Sequence, residues 1–407
     1  MVSSLNKRNI IVSVSLIYCV LVLGTAIYAA TSFKIEMPNS KPAPVAIPEP
    51  HSEPQPTPPT DLNSSIAVPD DYPKISELID QAAEGATIYL GKGTYEGPIN
   101  QTVVINKTLS LIGEDAKGTI IKLYPAYNVT WILTTPFFSY SDAITIAADA
   151  CKLLNLTVII ANPGGYISAT GNQIQIIGNN ITTGSTTGIK VNGSYCNITD
   201  NVMGGHIQLN GSFNEVSKNS LSAIYIDGFS NVIKDNACEN LGLSYSTKNV
   251  VSGNRVSTST RSYSGISLTN SSDNFLQSNY VSGFGYGLKL WLSSGNTITA
   301  NTIADSLDAS ISLGGSSNNT IYLNNFVDNM WGWIPYVYDS YSDPNVRAAV
   351  PNMTASTNFW DNGKEGNYWA GYNVSDVNGD GIGDTPYVIN ANNQDNFPLM
   401  APRTIPG

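Results

Sequence analysis

Val251-Ser252-Gly253-Asn254-Arg255-Val256, Leu276-Gln277-Ser278-Asn279-Tyr280-Val281 and Ile298-Thr299-Ala300-Asn301-Thr302-Ile303 are three copies of one phrase. It reads aliphatic, two spacers, asparagine, one spacer, apolar. Between Ile176 and Phe326 it occurs eight times, on Asn179, Asn201, Asn219, Asn236, Asn254, Asn279, Asn301 and Asn324. All sixteen flanking positions are apolar, from Ile176 and Ile181 in the first copy to Ile321 and Phe326 in the last. The column two residues before the asparagine instead reads Thr199, Ser217, Lys234, Ser252, Gln277, Thr299 and Tyr322. One column points in and its neighbour points out, which is the alternation of a strand.

A second phrase follows in most copies, in the pairs Ile189 and Val191, Ile207 and Leu209, Ile224 and Ile226, Ile266 and Leu268, Leu288 and Leu290, and Ile311 and Leu313. Each pair brackets one outward residue, so each copy holds at least two short strands joined by Gly, Ser and Asn turns. Successive asparagines lie 17 to 25 residues apart, which is the period of a solenoid. A single copy cannot fold alone. Burying about five aliphatic side chains gives roughly 10 kcal/mol, against at least ~20 kcal/mol of backbone entropy for ~20 residues. Stacking reverses that balance, and strands stacked at ~4.8 Å give a parallel β-helix, an all-β fold. The asparagine suits a ladder of stacked amides that also satisfies turn backbone groups. A leucine-rich horseshoe would need a helical half-repeat, and here the second half is strand-like and rich in Gly and Ser.

The chain divides into an apolar N-terminal segment over 1–34, a linker over 35–67, the β-helix over 68–330 and an aromatic C-terminal cap over 331–407. Lys7 and Arg8 precede an apolar run from Ile10 to Ala30. At ~1.5 Å per residue it reaches ~31 Å, enough to cross a bilayer. This favours an N-terminal transmembrane helix over a cleaved signal, and on either reading the remainder is exported. Pro38 to Pro59 lacks apolar periodicity and reads as a stiff spacer. A short amphipathic helix follows, with Ile75, Leu78, Ile79 and Ala82 on one face and Gly85 at its end, placed to cap the first coil.

The pI is about 4.6 and the net charge −11, which argues against a nucleic-acid partner. Asn-x-Ser/Thr sequons stand at Asn63, Asn106, Asn128, Asn192, Asn210, Asn352 and Asn373. The four cysteines, Cys19, Cys151, Cys196 and Cys238, form no C-x-x-C and read as small core residues, not as a disulfide framework.

Near the C-terminus Asp376, Asn378 and Asp380 alternate, and Gly381, Ile382 and Asp384 follow. Their oxygens, with the Ile382 carbonyl, suit a structural Ca2+ that would pin the cap; a hydrated acidic turn is the alternative. Tyr387 stands where an EF-hand would place Glu. Trp331, Trp333, Tyr336, Trp360 and Trp369 read either as the cover of the last coil or as a sugar-stacking platform. Copper needs soft or imidazole ligands; the only histidines are His51 and His206, and Met203, close to His206 in sequence, falls in an inward column, so no copper site is expected. The outward column beside the second strand reads Lys190, Gln208, Tyr225, Ser267, Lys289 and Ser312. It lacks the facing carboxylates of a glycosidase. Asp227, Asp235, Asp305 and Asp308 fall at turns or strand edges.

The order of cap helix, Gly93-Thr94-Tyr95, coils, Asn367-Tyr368-Trp369, the Asp/Gly loop and Asp395-Asn396-Phe397-Pro398-Leu399 resembles the NosD-type, or periplasmic copper-binding, β-helix family. It also resembles the related β-helix surface proteins of archaea. The resemblance covers roughly Val68 to Met400. It implies a right-handed, pectate-lyase-like parallel β-helix in a class of carbohydrate-binding proteins and sugar hydrolases, an exported location and, for founding members, copper delivery or enzyme maturation. The expected function is a membrane-anchored surface β-helix that binds a glycan or another envelope component without catalysis. The alternatives are an accessory protein for metalloenzyme maturation, a structural spacer, and a polysaccharide lyase or hydrolase.

Overall fold

A computed structural model of the chain describes residues 65–67 and 74–404, apart from 133–134, 162–163, 185, 262, 329–335 and 351. The apolar run Ile10–Ala30, the linker up to residue 64, Cys19 and His51 lie outside the described residues. Among the described residues, no helix is long and apolar enough to cross a membrane.

The repeated phrase folds as expected, into a right-handed parallel β-helix. Its aliphatic residues form a single internal file. Leu111, Leu153, Ile176 and Ile198 are successive partners across parallel strands. The file continues through Val216, Ile233, Val251, Leu276, Ile298 and Ile321. Every member is sealed from solvent. This file belongs to a sheet of 12 described strands. That sheet is the first ladder, and a second sheet, of 21 described strands, holds the second and third ladders side by side. One carries Leu221, Cys238, Val256, Val281, Ile303 and Phe326 inward. The other carries Ile189, Ile207, Ile224, Leu241, Ile266, Leu288 and Ile311 inward. Each coil therefore brings three short strands to one core.

The turn from the first ladder to the second is a left-handed residue followed by the phrase asparagine. Lys218, Asp235, Ser278, Ala300 and Leu323 have φ between 51° and 60° immediately before Asn219, Asn236, Asn279, Asn301 and Asn324. A left-handed residue with a side chain costs roughly 1–2 kcal/mol, and the asparagine ladder offsets it. Each amide donates to the next asparagine's Oδ1 at 2.9–3.0 Å from Asn179 through Asn324, and the ladder ends on Asn367.

A second asparagine ladder, five residues upstream of the first, was not expected. It joins Asn214, Asn231, Asn249, Asn274, Asn296, Asn319 and Asn358 through amide bonds of 2.9–3.0 Å. It sits at the turn from the third ladder back to the first, again after left-handed residues such as Phe213, Lys248 and Asn318. Beside it, hydroxyls of Ser246, Ser271, Ser293, Ser316 and Ser356 each accept a backbone N–H from the preceding coil. Two of the three corners are thus held by polar ladders, the first from Asn179 onward and the second from Asn214 onward.

The helix Ile75–Gln81 buries Ile75, Leu78 and Ile79, as expected of a cap. One short strand, Ser65–Ala67, precedes it and pairs with Thr87–Tyr89, so the solenoid starts slightly earlier than position 68. At the other end it runs past 330. Val337–Asp339 joins the third ladder and Tyr368–Trp369 the second, on Phe326. Cys151, Cys196 and Cys238 are buried free thiols, and burial pushes the Cys238 thiol up to about 12.

Candidate functional site

The second and third ladders are joined by a turn whose length varies, and that variation shapes the outer surface. From the inward residue of one ladder to that of the next there are 4 positions at Met203–Ile207, and 3 at both Leu221–Ile224 and Cys238–Leu241. On either side the count rises to 8 at Ile181–Ile189 and 10 at Val256–Ile266. The shortest turns leave the two strands continuous, as Ser220–Asp227 and Ala237–Ser244. They form a floor between higher walls, a cleft of about 610 Å³. Gly184, Gly204, Ser222 and Ala223 line it with small groups, and His206, Tyr225, Glu239, Asn240, Tyr263 and Ser264 supply its chemistry.

Strand alternation aims these side chains. With Ile207 and Leu209 inward, His206 and Gln208 must point outward. The His206 Nε2 lies 3.1 Å from the Thr187 hydroxyl, and the ring meets Tyr225 edge-on at 5.1 Å. Burial holds its pKa below the ordinary 6.5, so the imidazole is neutral at pH 7. The Asn240 amide donates to the Ser264 carbonyl at 2.7 Å. Tyr263 rises at the far wall, 63% exposed. The Lys289 ammonium sits 4.4 Å over its ring and 3.4 Å from its hydroxyl. Tyr286 meets Tyr263 edge-on at 5.3 Å and stacks on Tyr338 at 6.2 Å. Burial first, then the neighbouring Tyr263, Asp308 and Tyr338, pushes the Tyr286 phenol up to about 12, so it stays a hydrogen-bond donor.

The outward column read from sequence, Lys190, Gln208, Tyr225, Ser267, Lys289 and Ser312, is one file in the structure, which Gly242 and Tyr338 complete, though Ser312 is covered and only 3% exposed. Gly242 keeps it open, since a Cβ there would lie 3.1 Å from the Tyr225 ring. The arrangement offers ring faces, hydroxyls, amides and one ammonium, with Glu239 the single carboxylate among the lining residues. That inventory can hold a polyhydroxylated ligand; the two opposed carboxyls of a glycosidase are not in it. His206, Glu239, Asn240 and Tyr263 had not been expected here.

Of the two readings of the C-terminal aromatic residues, cover of the last coil and sugar-stacking platform, burial favours the cover for Trp360 and Trp369. Trp360 and Trp369 are each 1% exposed, so neither presents a face to a sugar. Trp369 lies between Phe326 at 4.5 Å and Tyr387 at 4.3 Å, and Trp360 lies beside it at 5.8 Å. Tyr336 is half-buried against Trp369 and donates to the Ala370 carbonyl at 2.7 Å. These three cover the last coil, because indoles this large seal an open hydrophobic end. Trp331 and Trp333 lie outside the described residues.

In the Asp/Gly loop, Gly379 and Gly381 take φ of 71° and 83° and fold the chain around Asp376. Asp376 accepts backbone N–H groups from Gly379, Asp380 and Gly381 at 2.8–3.2 Å. Asp380 accepts from Ile382, and Asp384 from Val377, each at 2.9 Å. Among the described residues no three Asp, Glu, His or Cys side chains converge as metal ligands. Met203 is buried in the interior while His206 faces the cleft, so these two do not fit a copper site.

Residues 214–374 match the family profile described as "Periplasmic copper-binding protein (NosD)". No curated protein matches the chain. Among solved structures it is similar to the Azotobacter vinelandii mannuronan C-5 epimerase AlgE4 A-module, at 13% identity over 68% of this chain and 86% of that one, with a TM-score of 0.49. It is similar to the AlgE6 A-module from the same organism, at 12% identity over 65% and 94%, with a TM-score of 0.48. It is also similar to DFA-IIIase from Arthrobacter chlorophenolicus A6, at 12% identity over 75% and 93%, with a TM-score of 0.46. The stretch 214–374 is therefore of NosD type, and it lies within a parallel β-helix that continues on both sides of it.

Proposed function

We propose that this chain is an exported surface β-helix, anchored through its N-terminal apolar run, that binds carbohydrate of the cell envelope without turning it over. The observation that carries the reading is the cleft on the third ladder, where Tyr225 and Tyr263 stand exposed among the amide of Asn240 and the hydroxyls of Ser222 and Ser264. Rings supply apolar faces and the short polar groups supply orientation. Tyr225→Ala and Tyr263→Ala are each expected to weaken binding of an envelope polysaccharide about 10-fold, the effect of losing an aromatic anchor. Titration calorimetry checks this, and unchanged affinity in both variants places the ligand elsewhere. If no polysaccharide binds the unaltered chain, the structural spacer becomes the better reading. A rise in unsaturated-product absorbance or in reducing ends would instead make the chain a lyase or hydrolase.

The NosD match favours a second reading, service to a metalloenzyme during maturation. Its family name points to copper, but Met203 and His206 do not pair as ligands, and no step through copper follows from these residues.

Calcium in the Asp376–Asp384 loop is a separate proposal. Asp376, Asn378, Asp380, the Ile382 carbonyl and Asp384 are hard oxygen donors of the kind that cation takes. If a calcium ion pins this loop, EDTA lowers the melting temperature by roughly 5 °C, the scale of ~2–3 kcal/mol of linked binding. An unchanged melting curve leaves the loop as the hydrogen-bonded turn it already forms.

A further inference from the structure

Resting on the binding reading above, we infer that the ligand of the third-ladder face is an acidic polysaccharide, lying along the solenoid axis with its anionic groups over Lys190 and Lys289. The chain carries a net charge of −11, yet its outward column Lys190, Gln208, Tyr225, Gly242, Ser267, Lys289, Ser312 and Tyr338 has two cations and no acid. Three lysines elsewhere are ion-paired on the surface, Lys92 to Asp115, Lys122 to Glu96 and Lys234 to Glu215. Among the described residues, neither Lys190 nor Lys289 has a carboxylate at salt-bridge distance. Lys289 is instead held over the ring of Tyr263, beside Trp291, which leaves its charge for an incoming anion.

The acids of this face stand to the sides. Glu239 and Asp308 belong to the turns from the second ladder, and Asp227 closes the strand Ser220–Asp227 at the opposite edge. An anion is attracted to the column and repelled from both margins, so the field selects both the ligand class and its direction. Lys190 and Lys289 are five in-register rungs apart. At ~4.8 Å per rung that is ~24 Å, a span for a polymer and not for a single sugar. Carboxylate and sulfate would be recognised by the same chemistry here.

The test titrates the full-length chain with a polyuronate, with the same polymer after reduction of its carboxyls, and with a sulfated galactan, at about 50 and about 300 mM NaCl. The expected result is at least about 10-fold tighter binding of an anionic polymer than of the reduced one, with the difference shrinking in salt. Lys190→Gln and Lys289→Gln should each lower affinity for the anionic polymer about 5-fold and leave the neutral one unchanged. Whichever anionic polymer binds identifies carboxylate or sulfate as the recognised group. If the reduced polymer binds as tightly, with no salt dependence, the acidic class is overturned and carbohydrate binding stands. If no polymer binds, the binding reading falls as well.

Discussion

Asn279→Ala is expected to lower stability by roughly 4 kcal/mol. The Asn279 amide donates to the Val251 carbonyl and to Asn301 Oδ1, both at 2.9 Å. Its Oδ1 accepts the Asn254 backbone N–H at 3.0 Å and the Asn254 amide at 2.9 Å. Alanine leaves the Asn254 N–H and the Val251 carbonyl without these partners, where water does not reach. Orphaned buried groups cost ~1–3 kcal/mol each, and the small void adds to that. Asn301 is less affected, because its Oδ1 keeps the Asn279 backbone N–H at 2.9 Å. Asn180, exposed and one residue beyond the ladder, is the control, with a change within about 0.5 kcal/mol on substitution by alanine. Urea unfolding measures both. A loss below about 1 kcal/mol at Asn279 would mean that the amides decorate the corner without holding it. Because each coil contacts only its neighbours, hydrogen exchange should open first on either side of the substituted rung.

This ladder was legible in the sequence because it repeats beside an aliphatic column that never fails. The second ladder was equally present, as an asparagine five residues before each of the last six: Asn214, Asn231, Asn249, Asn274, Asn296 and Asn319. It is obscured upstream, where Cys196 occupies the place in its coil, its backbone N–H donated to Asn214 and its thiol to the Gly171 carbonyl at 3.6 Å. The left-handed residues carry no shared side chain, being Lys, Asp, Ser, Ala and Leu before the first ladder and Phe, Ser, Lys, Asp and Asn before the second, so composition could not reveal them. The cleft was hidden for another reason. Its floor depends on the shortness of three successive turns, at Met203–Ile207, Leu221–Ile224 and Cys238–Leu241, and not on a motif. That shortness was visible as the 17- and 18-residue spacings between asparagines. Spacing alone, however, does not say that Tyr263 rises at the next wall or that His206 turns toward Thr187. At the C-terminus the tryptophans were legible as aromatic mass. Their burial follows from partners distant in sequence, Phe326 and Tyr387, which no local pattern connects.

Stability should fall as pH rises from about 4 to about 6, and Asp395 is the group responsible. Both asparagine ladders end on one hairpin, Tyr387–Asn390 with Asn393–Asp395. Asn393 closes the second ladder. It accepts the Asn358 backbone N–H at 2.9 Å and the Trp360 indole N–H at 3.0 Å, and its amide donates to the Ser356 carbonyl at 2.8 Å. Asp395 closes the first, and it meets donors on both oxygens. Oδ2 accepts the Asn367 backbone N–H at 2.7 Å and the Trp369 indole at 2.9 Å, while Oδ1 accepts the Phe397 N–H at 3.0 Å. An amide would turn its NH2 against one of these, which is why a carboxyl stands here and an asparagine at 393. The site has room for it because Gly366 has no Cβ, which would lie 1.7 Å from Oδ1. Burial nonetheless outweighs the donors and pushes the Asp395 carboxyl from 3.8 up to about 6. The folded state therefore binds this proton more tightly than the unfolded chain. Its stabilising share is complete below pH ~4 and is lost as pH rises through about 6, roughly 3 kcal/mol in all. Asp395→Asn removes the titrating group, so its stability relative to the unaltered chain should be lowest near pH 4 and improve up to pH ~6. Urea midpoints at pH 4, 5, 6 and 7 for both proteins would show this as two converging curves. Parallel curves would mean that the Asp395 carboxyl ionises in the folded cap as readily as in the unfolded chain, with the N–H groups of Asn367, Trp369 and Phe397 compensating its burial in full.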